Sequence, residues 1–173
     1  MRIIWLLHGI VPMRYRFDKK QLHLLSILTF DASLEPVDLD TRLTNNQLEL
    51  TVERRTFESV KRSKWLFWNR TSYLGKTAEL RFIGVSQAQL TNINTEISGN
   101  DFIKDISLNE TANKVELRTT SGRTLQLTPT DNFKVELEDI RDSNFGKGTS
   151  FGKHGFTESE WNELTANEEI NAM

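Results

Sequence analysis

No cysteine occurs among the 173 residues, which excludes disulfides, thiolate metal sites and a cysteine nucleophile. It also fits a reducing compartment, so the expected location is cytoplasmic. Only three prolines are present, too few for long proline-rich linkers. His8, His23 and His154 are scattered without the paired spacing of a zinc site, so no metal and no cofactor is expected. The G-x-S-x-G elbow of serine hydrolases is missing. Asp101 and Asp105 could be imagined as a carboxylate pair, but four strand residues separate them by about 13 Å and no third group accompanies them. The chain reads as a binding protein and not an enzyme.

Long hydrophobic runs are also scarce. Ile3 to Val11 is interrupted by His8 and Gly9 and is too short to span a bilayer as a helix, so no membrane span is expected. Residues 1–12 stay open between an upstream extension before Met13, an N-terminal element packed on the domain, and, ranked lower, a cleaved signal. Without a credible secretory signal, the sequons at Asn69-Arg70-Thr71 and Asn109-Glu110-Thr111 are chance matches.

What the chain does have is alternation. Leu48, Leu50 and Val52 alternate with polar residues after an Asn45-Asn46 turn, the cleanest strand of the sequence. Val115–Thr120 and Thr124–Thr128 flank Ser121-Gly122 as a hairpin, and Phe133–Leu137 adds a further strand. Gln21–Phe30 is a continuous apolar run, read as a strand from Ile27, Thr29 and the following Asp31. Asn144–Phe156, with Phe-Gly-Lys at Phe145 and Phe151, reads as a loop. Its glycines Gly146 and Gly152 do not match a phosphate-binding P-loop. Thr157 to Glu160 fits a capping box ahead of Trp161 and Leu164, so a short helix should end the chain. Consecutive short strands joined by turn residues imply a mainly β fold, an antiparallel sandwich or a strongly curved sheet with a short C-terminal helix. The expected organisation is an uncertain extension over 1–12, an antiparallel β domain over 13–142, and a glycine-rich loop and helix over 143–173 packed on it.

The densest alternation runs from Lys76 to Leu108, as strands expected to reverse direction at Ser98-Gly99-Asn100-Asp101. Leu80, Arg81, Phe82, Gly84, Val85 and Ser86, followed by Ile103, Asp105, Ile106 and Ser107, resemble a strand pair of small bacterial immunity-type proteins. The resemblance covers residues 79–107. It implies a protein that neutralises a partner toxin by occluding it.

Charge is uneven. Up to Lys76 there are 13 Lys and Arg against 8 Asp and Glu; from Thr77 onward the counts are 9 and 16, giving +5 and −7. Such polarity can steer a partner or be neutralised within the domain. The basic half contains the candidate contact surface, where Trp65, Trp68 and Tyr73 interleave with Arg62, Lys64 and Arg70. Three readings of this stretch compete. One face can insert Trp65 and Phe67 into the core; Trp, Tyr and Arg can anchor a protein partner, a toxin domain in the immunity-type reading; or rings and cations can take nucleic acid, which the net charge of −2 disfavours. A small-ligand-binding β protein is a further alternative. Oligomeric state is not legible.

Overall fold

The computed structural model describes residues 14–34, 43–56, 61–65, 68–92, 100–150 and 159, with side chains of 57–73 and 146–150 excepted. The elements are β1 (Arg14–Phe17), α1 (Leu22–Thr29), β2 (Ser33–Leu34), β3 (Gln47–Arg55), β4 (Lys61–Trp65), β5 (Trp68–Thr91), β6 (Asp101–Asn109), β7 (Lys114–Thr119) and β8 (Thr124–Ser150).

The sheet is a closed barrel, which corrects the expectation of a sandwich or open curved sheet. Around the ring the order is β8, β7, β6, β2, β3, β5, and β5 pairs again with β8, so six antiparallel strands close on themselves. β1 adds to β8 beyond β7, and β4 adds to β5 beyond β3. The sandwich fails because β8 has neighbours on both sides: Leu125 and Leu127 face β7 through Leu117 and Val115, and face β5 through Leu90 and Ala88. Among the described residues there are not two layers but one wall around one interior.

Closure requires two long strands to bend. β5 has 24 residues and β8 has 27, well beyond the roughly 3–10 of ordinary strands. Their ladder is broken at several bulges, which supply curvature. At one of them, Ile83 pairs with Lys134 and Val85 with Pro129, so β8 carries extra residues around Gly84. Gly84 has φ +74°, and a Cβ there would lie 2.8 Å from Thr130 Oγ1 and 2.9 Å from the Asn132 carbonyl group. Only glycine meets both conditions.

The alternation fills the interior. Leu48, Leu50 and Val52 from β3, Ala78, Leu80 and Phe82 from β5, Ile103 and Ile106 from β6, and Val135 and Leu137 from β8 are all buried, joined by Tyr15 and Phe17 of β1. Burying each large apolar side chain contributes roughly 1.5–3 kcal/mol.

Gln21–Phe30 is not a strand. Asp18 caps a turn by accepting from the backbone of Lys20 (2.7 Å) and Gln21 (3.1 Å), while Gln21 Oε1 accepts from the Asp18 N–H. The chain then continues as α1. Leu22, Leu25 and Leu28 recur every third residue, and Leu24 and Thr29 complete a buried face against β6 and β3. His23 therefore lies on a helix, its Nδ1 3.1 Å from the carbonyl oxygen of Lys20.

Other expectations divide. Asn45 and Asn46 (φ 53° and 60°) make the turn before β3, and Gly122 (φ 87°) makes the β7–β8 turn. The expected strand pair of Glu79–Ser107 is not a pair, since β6 lies between β2 and β7 and β5 between β3 and β8. The segment read as a loop from Asn144 is strand to Ser150. Of the C-terminal helix only Ser159 is described, and it is helical; residues 1–12 and the reversal at Ser98-Gly99 lie outside the described residues.

Candidate functional site

All six candidate contact residues fall on one element, an arm in which β4 and the first part of β5 pair antiparallel. Arg62 pairs with Thr71, Ser63 with Arg70, Lys64 with Asn69, and Trp65 with Trp68. Since paired residues share a face and neighbours alternate, positions 65, 68 and 70 fall on one face and positions 62, 64 and 73 on the other. Two tryptophans and an arginine are thus grouped, while Lys64, Arg62 and Tyr73 occupy the reverse. β3 pairs with β5 only as far as Arg55 and Gly75. The seven residues Trp68–Leu74 therefore continue beyond it for roughly 23 Å at about 3.3 Å per residue. On its other side the arm is flanked by β8, where Thr71 pairs with Ser150 and Tyr73 with Gly148.

The root of the arm is defined by interruptions on both sides of β5. Between the Arg55–Gly75 and Lys61–Ser72 pairs the β3 to β4 side has more residues than β5, and between Ser143–Gly75 and Gly148–Tyr73 β8 does too. The second bulge carries Phe145 onto Phe102 of β6, with ring centroids 6.3 Å apart and planes at 25°. Gly75 permits this crossing, since a Cβ there would overlap the Phe145 carbonyl oxygen and lie 2.7 Å from that of Ser143. Beside it, Glu53, Thr77, Arg141, Asp142, Ser143, Asn144 and Phe145 line an open groove of about 340 Å³. Ser143 donates to Glu53 (2.8 Å), and Lys76 pairs with Asp142 (2.6 Å).

Beneath the root, the barrel holds a buried ion pair. Arg54 Nε and Nη2 donate to the two Asp139 carboxylate oxygens at 2.9 and 3.0 Å. Arg54 is 0% exposed and Asp139 6%. The guanidinium carbon lies 5.8 Å from the Tyr15 ring centre, within cation–π range. In sequence Arg54 adjoins the basic segment. The signal that separates it is parity, for it continues the inward series Leu48, Leu50, Val52, as Asp139 continues Val135 and Leu137.

The outer barrel wall carries a second electrostatic array. Arg14 pairs with Glu138 (2.5 Å) and Arg16 with Glu136 (2.8 Å), directly opposite one another in the β1–β8 register. Arg81 contacts Glu79, Glu138, Glu136 and Glu49. The hydrogen bond to Glu79 raises the Arg81 pKa; partial burial opposes this, and the surrounding carboxylates reinforce it. Much of the charge asymmetry between the two halves of the sequence is therefore neutralised within the molecule.

Asp101 has a structural role. It is 1% exposed and accepts from the backbone N–H groups of Phe102 (3.0 Å) and Ser121 (3.1 Å) and from the hydroxyls of Thr120 and Ser121. Burial pushes its pKa up, but the Ser121 hydroxyl and the other donors outweigh burial and hold it below the ordinary value. Asp105 accepts instead from Ser26 and Ser107, so the two carboxylates have separate sets of donors. Among the described residues no group of three His, Asp or Glu is placed to hold a metal ion, and no helix is long and apolar enough to cross a membrane. No protein-family model, curated protein or solved structure matches the chain.

Proposed function

We propose that this is a non-catalytic binding protein that engages a protein partner through the arm formed by β4 and β5. The observation that carries this reading is the grouping of Trp65, Trp68, Arg70, Arg62, Lys64 and Tyr73 on one strand pair that continues past β3. Trp, Tyr and Arg are the residues that dominate binding energy when desolvated at an interface. A barrel interior packed with leucine, valine and phenylalanine supports recognition from outside the wall. The immunity-type resemblance of residues 79–107 makes a toxin domain, neutralised by occlusion in a bacterial cytoplasm, the first partner to test.

The test is titration calorimetry against the product of the reading frame beside this gene, which on this reading is a toxin. Trp68→Ala and Arg70→Ala should each weaken binding at least tenfold, since an interface anchor contributes about 2 kcal/mol or more. The melting temperature should not move. Undiminished affinity in both variants removes the arm as the contact surface.

A further inference from the structure

The arm has a strand edge as well as two faces. β4 ends the sheet order, and among the described residues it pairs with β5 alone. Among the described residues no strand covers its other edge, whose backbone N–H and C=O groups are in extended geometry, a ready template for a further strand. Along that edge the sequence is Lys61-Arg62-Ser63-Lys64-Trp65, with three cations, no acid and no proline. Two copies pairing there would bring like charges face to face at a strand spacing of about 4.8 Å, which opposes self-association. The opposite sign matches.

The protein already uses this match internally. β1, Arg-Tyr-Arg-Phe, docks antiparallel on the Val135–Glu138 segment of β8, and each arginine lies directly across from a glutamate. A short strand with cations at alternate positions thus seats on a strand with carboxylates at alternate positions. Arg62 and Lys64 repeat that spacing on β4. We propose that β4 is a strand-addition site, and that its occupant is an extended segment of the protein partner carrying Asp or Glu at alternate residues. Backbone pairing with Lys61–Trp65 supplies the main-chain hydrogen bonds, and the carboxylates opposite Arg62 and Lys64 fix register. This rests on the reading of the arm as the binding surface and specifies how the partner is held.

The experiment uses the full chain, isotope-labelled, and capped nine-residue peptides alternating glutamate with valine. On saturation with the acidic peptide, backbone amides of alternate residues in Lys61–Trp65 should exchange at least tenfold more slowly. The same peptide with lysine for glutamate, or with a central proline, should leave them unchanged, and binding should weaken as salt rises. Unchanged exchange with the acidic peptide overturns strand addition, as does equal protection by the lysine peptide. A homodimer through β4, seen in sedimentation, or equal protection by a single-stranded oligonucleotide would also overturn it. If Trp68→Ala and Arg70→Ala weaken the toxin-like partner while β4 amides in that complex stay unprotected, the arm remains the binding surface and strand addition falls. If β4 is protected while those variants bind normally, strand addition stands and the contact through the faces falls.

Discussion

Removing one member of the Arg54–Asp139 pair should cost the barrel more than almost any single surface change. In Asp139→Asn the side-chain volume is retained, but the Arg54 guanidinium, 0% exposed, loses the carboxylate that accepts from both Nε and Nη2. Breaking a buried ion pair by removing one partner costs about 3–5 kcal/mol. For a chain of this length each kcal/mol moves the melting temperature by roughly 2–4 °C, so a fall of roughly 10 °C is expected. The cation–π contact with Tyr15 does not offset this, because it is present with either side chain at 139. Urea unfolding of Asp139→Asn, Arg54→Met and the double variant Arg54→Met/Asp139→Leu tests this. The double variant should recover most of the loss, because replacing both charges removes the desolvation penalty along with the attraction. A loss below about 1 kcal/mol in Asp139→Asn would refute the argument, as it would mean that water reaches the pair.

Further outcomes follow from the turn and the bulge. Asp101 has its pKa lowered in the folded state, so its contribution is fully present above the unfolded value of about 3.9 and is lost as pH falls through the lower folded value. Urea midpoints followed from pH 7 to pH 2 should therefore show a drop that Asp101→Asn flattens. At neutral pH that variant should itself be less stable by roughly 1–3 kcal/mol, since donors from Ser121, Thr120 and Phe102 lose an acceptor. Gly75→Ala should destabilise by about 1–3 kcal/mol through overlap with the Phe145 carbonyl oxygen. A melting curve superimposable on the parent would show that β8 yields there freely.

Strand positions were legible because one face of nearly every strand is buried. Leu48 to Val52, Val115 to Thr119 and Val135 to Leu137 keep their apolar residues inward in the structure, and Arg54 and Asp139 continue that parity, which composition alone did not reveal. Closure was not legible. It depends on β5 pairing with β8, whose partners such as Ala78 and Asp139 are distant in sequence, and on bulges that leave no periodic mark. Pro129 to Asn132 looked like a break between two strands, whereas it is where one strand bends around Gly84. In α1, Leu22, Leu24, Leu25 and Leu28 read equally as a buried strand or a buried helix, and the capping residues Asp18 and Gln21 held the deciding information. The candidate contact residues were grouped by composition alone; register then divided them between two faces and placed β4 at an edge.

Ring closure also dictates an order of events at the ribosome. Until β8 emerges, the first 123 residues can form at most an open horseshoe whose β5 and β7 flanks both lack their final neighbour. Contacts that bridge so many residues form slowly, and uncovered flanks invite association with other nascent chains. β8, the last strand among the described residues, is therefore the keystone, and fragments ending before Thr124 should depend on chaperones to stay dispersed.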